Sequence, residues 1–275
     1  MHPFRKIDFR SIKTLIIGVV NVTPDSFSDG GEFFSVEKAV EHGKQLVADG
    51  ADILDIGGES SRPGSEPVSL EEELRRVIPV IERLRAEVDV PISLDTYKWR
   101  VAELGLKAGA DIINDISGLR DPKMVEMVAK YKCLVIIMHM QGEPKTMQKD
   151  AHYTDVVAEI KMFFEEKIAV ARKAGVVDII LDPGIGFGKK LEHNLEILRR
   201  FEEFCTLGYP VLIGTSRKSF LGTLLGGAGP KERLEGTIAS TVVAVVKGAT
   251  LVRVHDVKEM KKALRVVDAI RYGKS

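Results

Sequence analysis

The chain has 275 residues, 44% hydrophobic and 29% charged, with 40 Lys and Arg balanced by 40 Asp and Glu. That composition suits a globular protein with a sizeable core, and the charge balance leaves no basic face of the kind that supplies most nucleic-acid affinity. No run approaches the roughly 20 apolar residues needed to cross a bilayer, and Met1–Arg10 carries no apolar targeting segment, so a cytoplasmic protein is expected.

Short β-branched apolar runs predict eight strands, at Leu15–Val20, Ile53–Ile56, Ile92–Leu94, Ile112–Ile113, Leu134–Met138, Ile179–Leu181, Val211–Ile213 and Leu251–Val254. Helical signals lie between them. Ser69-Leu-Glu-Glu72 reads as a capping box opening an apolar face at Leu70, Leu74, Val77, Ile78 and Ile81. Asp121-Pro122 reads as an N-cap with proline in the first turn, and Asp256-Val-Lys-Glu259 as a second capping box. Gly50, Gly109, Gly175 and Gly248 each close a helix just before the next strand. Eight alternating units of this kind predict an α/β fold, a (β/α)8 TIM barrel, in preference to an open doubly wound sheet. Residues 1–275 are expected to form a single domain with a short N-terminal extension through about Lys13.

The long irregular segments Asn21–Phe34, Gly57–Val68 and Gln141–Tyr153 follow strands, which in a barrel places them at the ligand-binding mouth. Polar residues at the strand ends should converge there. They are Asn21; Asp55 with Glu59, Ser61 and Arg62; Asp95; Asn114 and Asp115; His139; Asp182; Ser216, Arg217 and Lys218; and Arg253 with His255. Any one of these could merely cap a helix or bond a neighbouring loop, but eight coincidences point to a site.

Asp95, Asn114, Asp182 and Lys218 follow apolar runs closely and should sit low in the pocket, where unpaired carboxylates are costly. A planar heterocycle with an amidine-like edge would satisfy them; a buried Asp–Lys pair filling the barrel is the competing reading. Asn21, Arg62, Arg253 and His255 should lie nearer the rim and suit a phosphate or diphosphate, with Arg253 and His255 sharing one strand face.

Other motifs are weaker. Gly184–Lys189 looks like a phosphate loop, but Pro183 stands where a Walker glycine belongs and Lys190 where a Mg2+-binding hydroxyl would be. His139 has no second histidine at a useful spacing and reads first as a packed residue. Cys133 and Cys205 lack metal-ligand spacing and read as buried reduced thiols.

Four long motifs carry a family resemblance: Asn21-Val-Thr-Pro-Asp-Ser-Phe-Ser-Asp-Gly-Gly31, Gly57-Gly-Glu-Ser-Ser-Arg-Pro-Gly64, Asp182-Pro-Gly-Ile-Gly-Phe-Gly188 and Thr215-Ser-Arg-Lys-Ser-Phe-Leu-Gly222. With Asn114–Gly118, Met138-His-Met140 and Arg253-Val-His255, they closely resemble the dihydropteroate synthase family over essentially the whole chain. The resemblance implies condensation of 6-hydroxymethyl-7,8-dihydropterin diphosphate with p-aminobenzoate, in folate synthesis, with Mg2+ as cofactor. It implies a pterin site at Asp95, Asn114, Met138, Asp182, Phe187 and Lys218, and a diphosphate site at Asn21, Arg62, Arg253 and His255, with Asn21 contacting the metal. Phe27, Ser61, Arg62, Pro63, Lys218 and Ser219 would take p-aminobenzoate, the part that sulfonamides imitate. The implied catalytic group is Asp95, Lys218, Arg253 and His255, with Asp25 shielding and ordering the site. A homodimer through helices around Arg233–Lys247 is also implied.

The chain departs from the family pattern at Ser61, where threonine is common, and at Lys190 and Gln141, where threonine and arginine are frequent. Three other readings suit the same residues. A methyltetrahydrofolate-corrinoid methyltransferase would share the barrel and the acidic floor but would need no diphosphate site. The others are a non-catalytic pterin-binding barrel and a generic phosphate-binding barrel enzyme.

Overall fold

The computed structural model describes residues 7, 13–23, 32–60, 64–142, 145–148 and 151–273, with side chains in the first helix from Val36 onward. Its strands are β1 (Leu15–Asn21), β2 (Ile53–Gly57), β3 (Ile92–Asp95), β4 (Ile112–Asp115), β5 (Leu134–Met138), β6 (Ile179–Asp182), β7 (Leu212–Ile213) and β8 (Leu251–Val254). All pair in parallel in the order β6-β5-β4-β3-β2-β1-β8-β7, and a Leu181–Val211 bridge brings β7 against β6. The expected barrel is therefore present.

Most strands outrun their apolar stretches, because the ladder continues through polar residues. Asn21 pairs with Gly57, Gly57 with Asp95, Asp95 with Asn114, and Met138 with Asp182. The mouth residues are thus ladder members rather than loop residues, and their backbones are fixed by the sheet.

The two-residue period of a strand sorts side chains between two cores. Inside, Ile17, Ile53, Ile112, Ile136, Ile180, Leu212 and Leu251 form an aliphatic plug. Outside, Ile16, Leu54, Leu94, Ile113, Val135, Leu181, Ile213 and Val252 pack against the helices. Two residues beyond the plug, on the same inner face, come Val19, Asp55, Asn114, Met138, Asp182 and Arg253. The polar floor therefore rests on the hydrocarbon plug.

Helix α2 (Leu70–Glu87) begins as expected, with Ser69 accepting the Glu72 N–H at 3.2 Å. The cap is one-sided, since the Glu72 carboxylate takes Arg75 and Arg76 instead of reaching back. Val77, Val80, Ile81 and Leu84 form its buried stripe, with Leu70, Leu74 and Ile78 partly buried beside it. Asp121 caps α4 (Pro122–Tyr131) through the Lys123 N–H at 2.9 Å. At α10 (Val257–Tyr272) the expected box does not form, because the Asp256 carboxylate is engaged by Arg217. The four helix-closing glycines adopt left-handed φ values of 105, 121, 92 and 110° at Gly50, Gly109, Gly175 and Gly248.

One buried ion pair ties α2 to the sheet. Arg85 donates through Nε to the Gly109 carbonyl at 2.8 Å and through Nη2 to Asp111, whose carboxylate also accepts the Ile92 N–H at 2.9 Å. Removing the cation alone strands a buried carboxylate, the expensive way to break such a pair. Arg85→Ala is expected to lower stability by about 3 kcal/mol, read from urea midpoints. A midpoint equal to the unsubstituted protein's would remove this pair from the account.

Candidate active site

The floor is organised by β2, β3, β4 and β8. Arg253 donates through Nε to Asp55 at 2.7 Å and through Nη2 to Asp95 at 2.9 Å. The Asn114 amide donates to the same Asp55 oxygen at 3.1 Å. Arg253 therefore lies deeper than the rim position expected for it, wedged between two carboxylates. Asp55, wholly buried, turns out to be the hub, although no role was assigned to it from sequence. Its signal was available: it lies two residues beyond Ile53 of the plug and so must face inward.

Several polar atoms remain open to a ligand. Asp55 Oδ1 and Asn114 Oδ1 are buried with no hydrogen-bond partner among the described residues. Asp182 commits one oxygen to the Gly184 N–H at 2.8 Å. Burial raises its pKa, with Lys218, Arg253 and Lys189 opposing the rise. Asp95 is pushed up to about 7, chiefly by burial; Arg253 pulls it down and Asp55 adds to the rise. Asn21 adjoins this group: a methyl placed on Gly57 would lie 3.6 Å from Asp95 Cβ and 3.9 Å from Asn21 Oδ1.

The apolar wall comprises Ile116, Met138, Met140, Met147 and Phe187, with Tyr97 partly buried beside them. Lys218 Nζ stands 3.9 Å from the Phe187 ring centroid, a cation–π contact that fixes the ammonium at the wall. The glycine loop forms that wall and is no phosphate cradle. A β-carbon on Gly184, at φ 67°, would come within 2.0 Å of the His139 carbonyl, and one on Gly188 within 2.4 Å of the Gln141 carbonyl. Lys189 staples the loop from behind. Its ammonium meets the carbonyls of His139, Gly184 and Phe187 at 3.2, 2.9 and 2.9 Å and His139 Nδ1 at 3.0 Å. Burial pushes Lys189 down to about 7.

Three residues expected at the mouth point elsewhere. Asp115 is one step out of phase with Asn114 and faces outward, accepting the Ser117 N–H at 2.8 Å, the Ser117 hydroxyl at 2.7 Å and the Leu119 N–H at 2.9 Å. His139, out of phase with Met138, packs edge-on against Phe163 at 5.0 Å, in line with the packed reading. Arg217 turns to Asp256. Glu59 braces the segment that follows β2, accepting the Val68 N–H at 3.0 Å, the Tyr97 hydroxyl at 2.8 Å and the Lys98 ammonium.

His255 carries its own orientation device. Its backbone N–H donates to Ser216 Oγ at 3.2 Å, and that oxygen stands 3.0 Å from His255 Nδ1; with the serine hydroxyl donating there, the ring proton lies on Nε2. Burial, then Arg253 and Arg217, lower its pKa to about 3. His255 thus offers a neutral N–H donor instead of the positive charge expected of an anion-binding imidazole. Ser219 opens the short helix α8 (Ser219–Leu224), with Lys218 at its N-cap. Asp25, Phe27, Ser61, Arg62 and Pro63 lie outside the described residues.

Residues 17–255 match the family model described as pterin binding enzyme. The chain is 50% identical over 256 residues to the dihydropteroate synthase of Escherichia coli (strain K12), covering 92% of this chain and 90% of that protein. It is likewise 50% identical to the Clostridium difficile dihydropteroate synthase solved in the presence of pteroic acid, with a TM-score of 0.89 over all of both chains. The Xanthomonas albilineans dihydropteroate synthase with 4-aminobenzoic acid gives 48% identity and a TM-score of 0.89 over 94% of each chain.

Asp95 supplies a test by pH. Its folded value of about 7 lies above the roughly 3.9 of an unfolded aspartate. The carboxyl's contribution to stability is therefore fully present below about pH 4 and is lost as pH rises to about 7. Asp95→Asn abolishes this titration. The stability difference between variant and unsubstituted protein should accordingly shift in the variant's favour between about pH 5 and 7.5, measured by urea unfolding; a difference independent of pH would contradict the assignment.

Proposed function

The chain belongs to the dihydropteroate synthases of the pterin-binding enzyme family, and we propose that its strand-end residues perform the condensation of 6-hydroxymethyl-7,8-dihydropterin diphosphate with p-aminobenzoate. The products are 7,8-dihydropteroate and diphosphate. The observation that carries this reading is the buried floor itself, where Asp55 and Asn114 each keep a buried oxygen without a partner among the described residues, beside the Asp95 carboxylate that shares Arg253 with Asp55.

A dihydropterin supplies what that floor lacks. Its guanidine-like edge donates to Asp182, whose other oxygen is already held by Gly184, and to the open Asn114 oxygen. Lys218 donates to the ring's acceptor edge from its place over Phe187. Asp95 stabilises the positive charge that develops on the ring as the carbon–oxygen bond to diphosphate breaks. The aryl amine of p-aminobenzoate attacks late, and displacement is dissociative because the electron-rich ring supports the cation.

On the leaving-group side, His255 Nε2 and the donors of Arg253 not committed to Asp55 and Asp95 accept the growing charge, with Asn21 and Arg62. Among the described residues no three His, Cys, Asp or Glu side chains gather as a metal cage. Mg2+ keeps several waters and is bound through one or two protein oxygens together with substrate phosphates, a requirement that the Asn21 amide oxygen beside Asp95 could meet. The Asn21 amide oxygen would be the protein donor, and the metal would supply charge neutralisation for the diphosphate. Phe27, Ser61, Arg62, Pro63, Lys218 and Ser219 receive p-aminobenzoate, and Asp25 shields the site.

A methyltransferase acting on methyltetrahydrofolate would have no use for the Ser216–His255 arrangement that presents a donor at the rim. We also propose a homodimer in the cytoplasm. Val243 and Val246 on α9 (Leu234–Val246), with Leu224 and Leu225 nearby in sequence and Val266 and Ile270 on α10, are exposed apolar side chains suited to a self-association surface. No helix among the described residues is long and apolar enough to cross a membrane.

The deciding assay incubates the protein with the pterin diphosphate, Mg2+ and p-aminobenzoate and measures diphosphate. Release that depends on p-aminobenzoate is expected; its absence would sink the proposal. Lys218→Ala and Asp182→Asn should each lower kcat/KM more than tenfold, about 1.4 kcal/mol of transition-state stabilisation, and near-normal rates would refute their roles.

A further inference from the structure

Lys218 reaches the pocket through an unusual backbone. The residue before it, Arg217, has φ 58°, in the left-handed region that penalises any side chain with a β-carbon. Lys218 then returns to φ −67° and ψ 151°, and this reversal carries its ammonium to Phe187. Glycine would make the same turn without strain. Here an arginine makes it, and its side chain and both its backbone polar groups are held.

The holding groups come from two segments, the start of α9 and the end of β8. The Arg217 N–H donates to Thr237 Oγ1 at 3.1 Å, and Thr237 is fully buried in α9. Arg233 donates through Nη1 to the Arg217 carbonyl at 2.9 Å, and is itself fixed through Nε to the Ala228 carbonyl at 2.8 Å. The Arg217 guanidinium takes Asp256 in a two-pronged pair, Nε to Oδ2 at 3.1 Å and Nη2 to Oδ1 at 2.5 Å. Asp256 directly follows His255, whose ring is bonded to Ser216, directly before Arg217. The turn bearing Lys218 and the strand end bearing His255 are thus fastened together twice, once inside the mouth and once behind it.

We infer that Arg217 is a positioning residue for Lys218: paired with Asp256 behind the mouth, it holds the strained turn that sets where the Lys218 ammonium stands. The inference rests on the condensation proposed above. Purely structural glue would cost the same activity whatever stands at position 218, whereas a device that acts through Lys218 has nothing left to position once that ammonium is gone.

The test is a double-mutant cycle on the full chain, by steady-state kinetics with melting temperatures recorded alongside. Arg217→Ala and Asp256→Asn are each expected to lower kcat/KM for the pterin diphosphate at least tenfold, but less than threefold when introduced into Lys218→Ala. Arg217→Lys, which keeps the charge and loses the fork, should recover part of the loss. An equal factor in both backgrounds, or kcat/KM near normal for Asp256→Asn, overturns the inference. Should Arg217→Ala fail to fold, Asp256→Asn decides by the same criterion, since it preserves side-chain shape. Absence of p-aminobenzoate-dependent turnover in the unsubstituted protein would fail the proposed reaction itself, and this inference with it, before any variant is compared.

Discussion

The guanidinium of Arg253 is the constraint on which the rest of the site depends. Asp55 and Asp95 come from adjacent parallel strands and face the same interior, where two carboxylates without a shared cation would repel in a medium that screens them poorly. A planar fork can bridge both, and its position is set by the β8 ladder, not by a flexible loop. Beneath it, the aliphatic plug excludes water and gives the bridge its strength. The same burial makes any unmatched carboxyl costly, so the floor is built to receive hydrogen-bond donors.

That imbalance links stability to function. The Asp55, Asp95 and Asp182 carboxyls face the Arg253 and Lys218 cations, and burial, with Asp55 adding to it against the pull of Arg253, pushes Asp95 up to about 7. A pterin with a donor-rich edge relieves the strain in charge, which is how a folded protein can hold a costly group and gain from it on binding. The wall is fixed as firmly as the floor. Gly184 and Gly188 let the loop lie against β5's continuation, and Lys189 pins three of its surrounding carbonyls from the far side. Phe187 and, through it, Lys218 inherit their places from this packing.

Much of this was legible because a buried parallel strand writes its boundaries plainly: apolar β-branched residues, then a polar one, then turn residues. The barrel and the convergence of Asp95, Asn114, Asp182 and Lys218 follow from that pattern. Errors arose where position along a strand was read without phase. Asp115 and His139 end strands as Asn114 and Met138 do, but one residue further on, so they face the helices. Phase would also have singled out Asp55. Side-chain pairings between distant segments carried no sequence signal. Nothing near Asp256 announces that Arg217 will take its carboxylate and cancel the capping box, nor does Gly-Phe-Gly-Lys189 disclose a lysine turned inward onto carbonyls. The orientation of the His255 ring likewise depends on Ser216, 39 residues away in sequence.

The most direct test of the central claim is the affinity of Arg253→Lys for a non-reactive pterin, measured calorimetrically. Lysine keeps the positive charge but cannot bridge Asp55 and Asp95 in the plane of a fork. If the shared guanidinium preorganises the floor, pterin affinity falls at least tenfold while Lys218, Asp182 and Asn114 remain unaltered in sequence. An unchanged affinity would mean that charge alone suffices at this position, and would contradict the account.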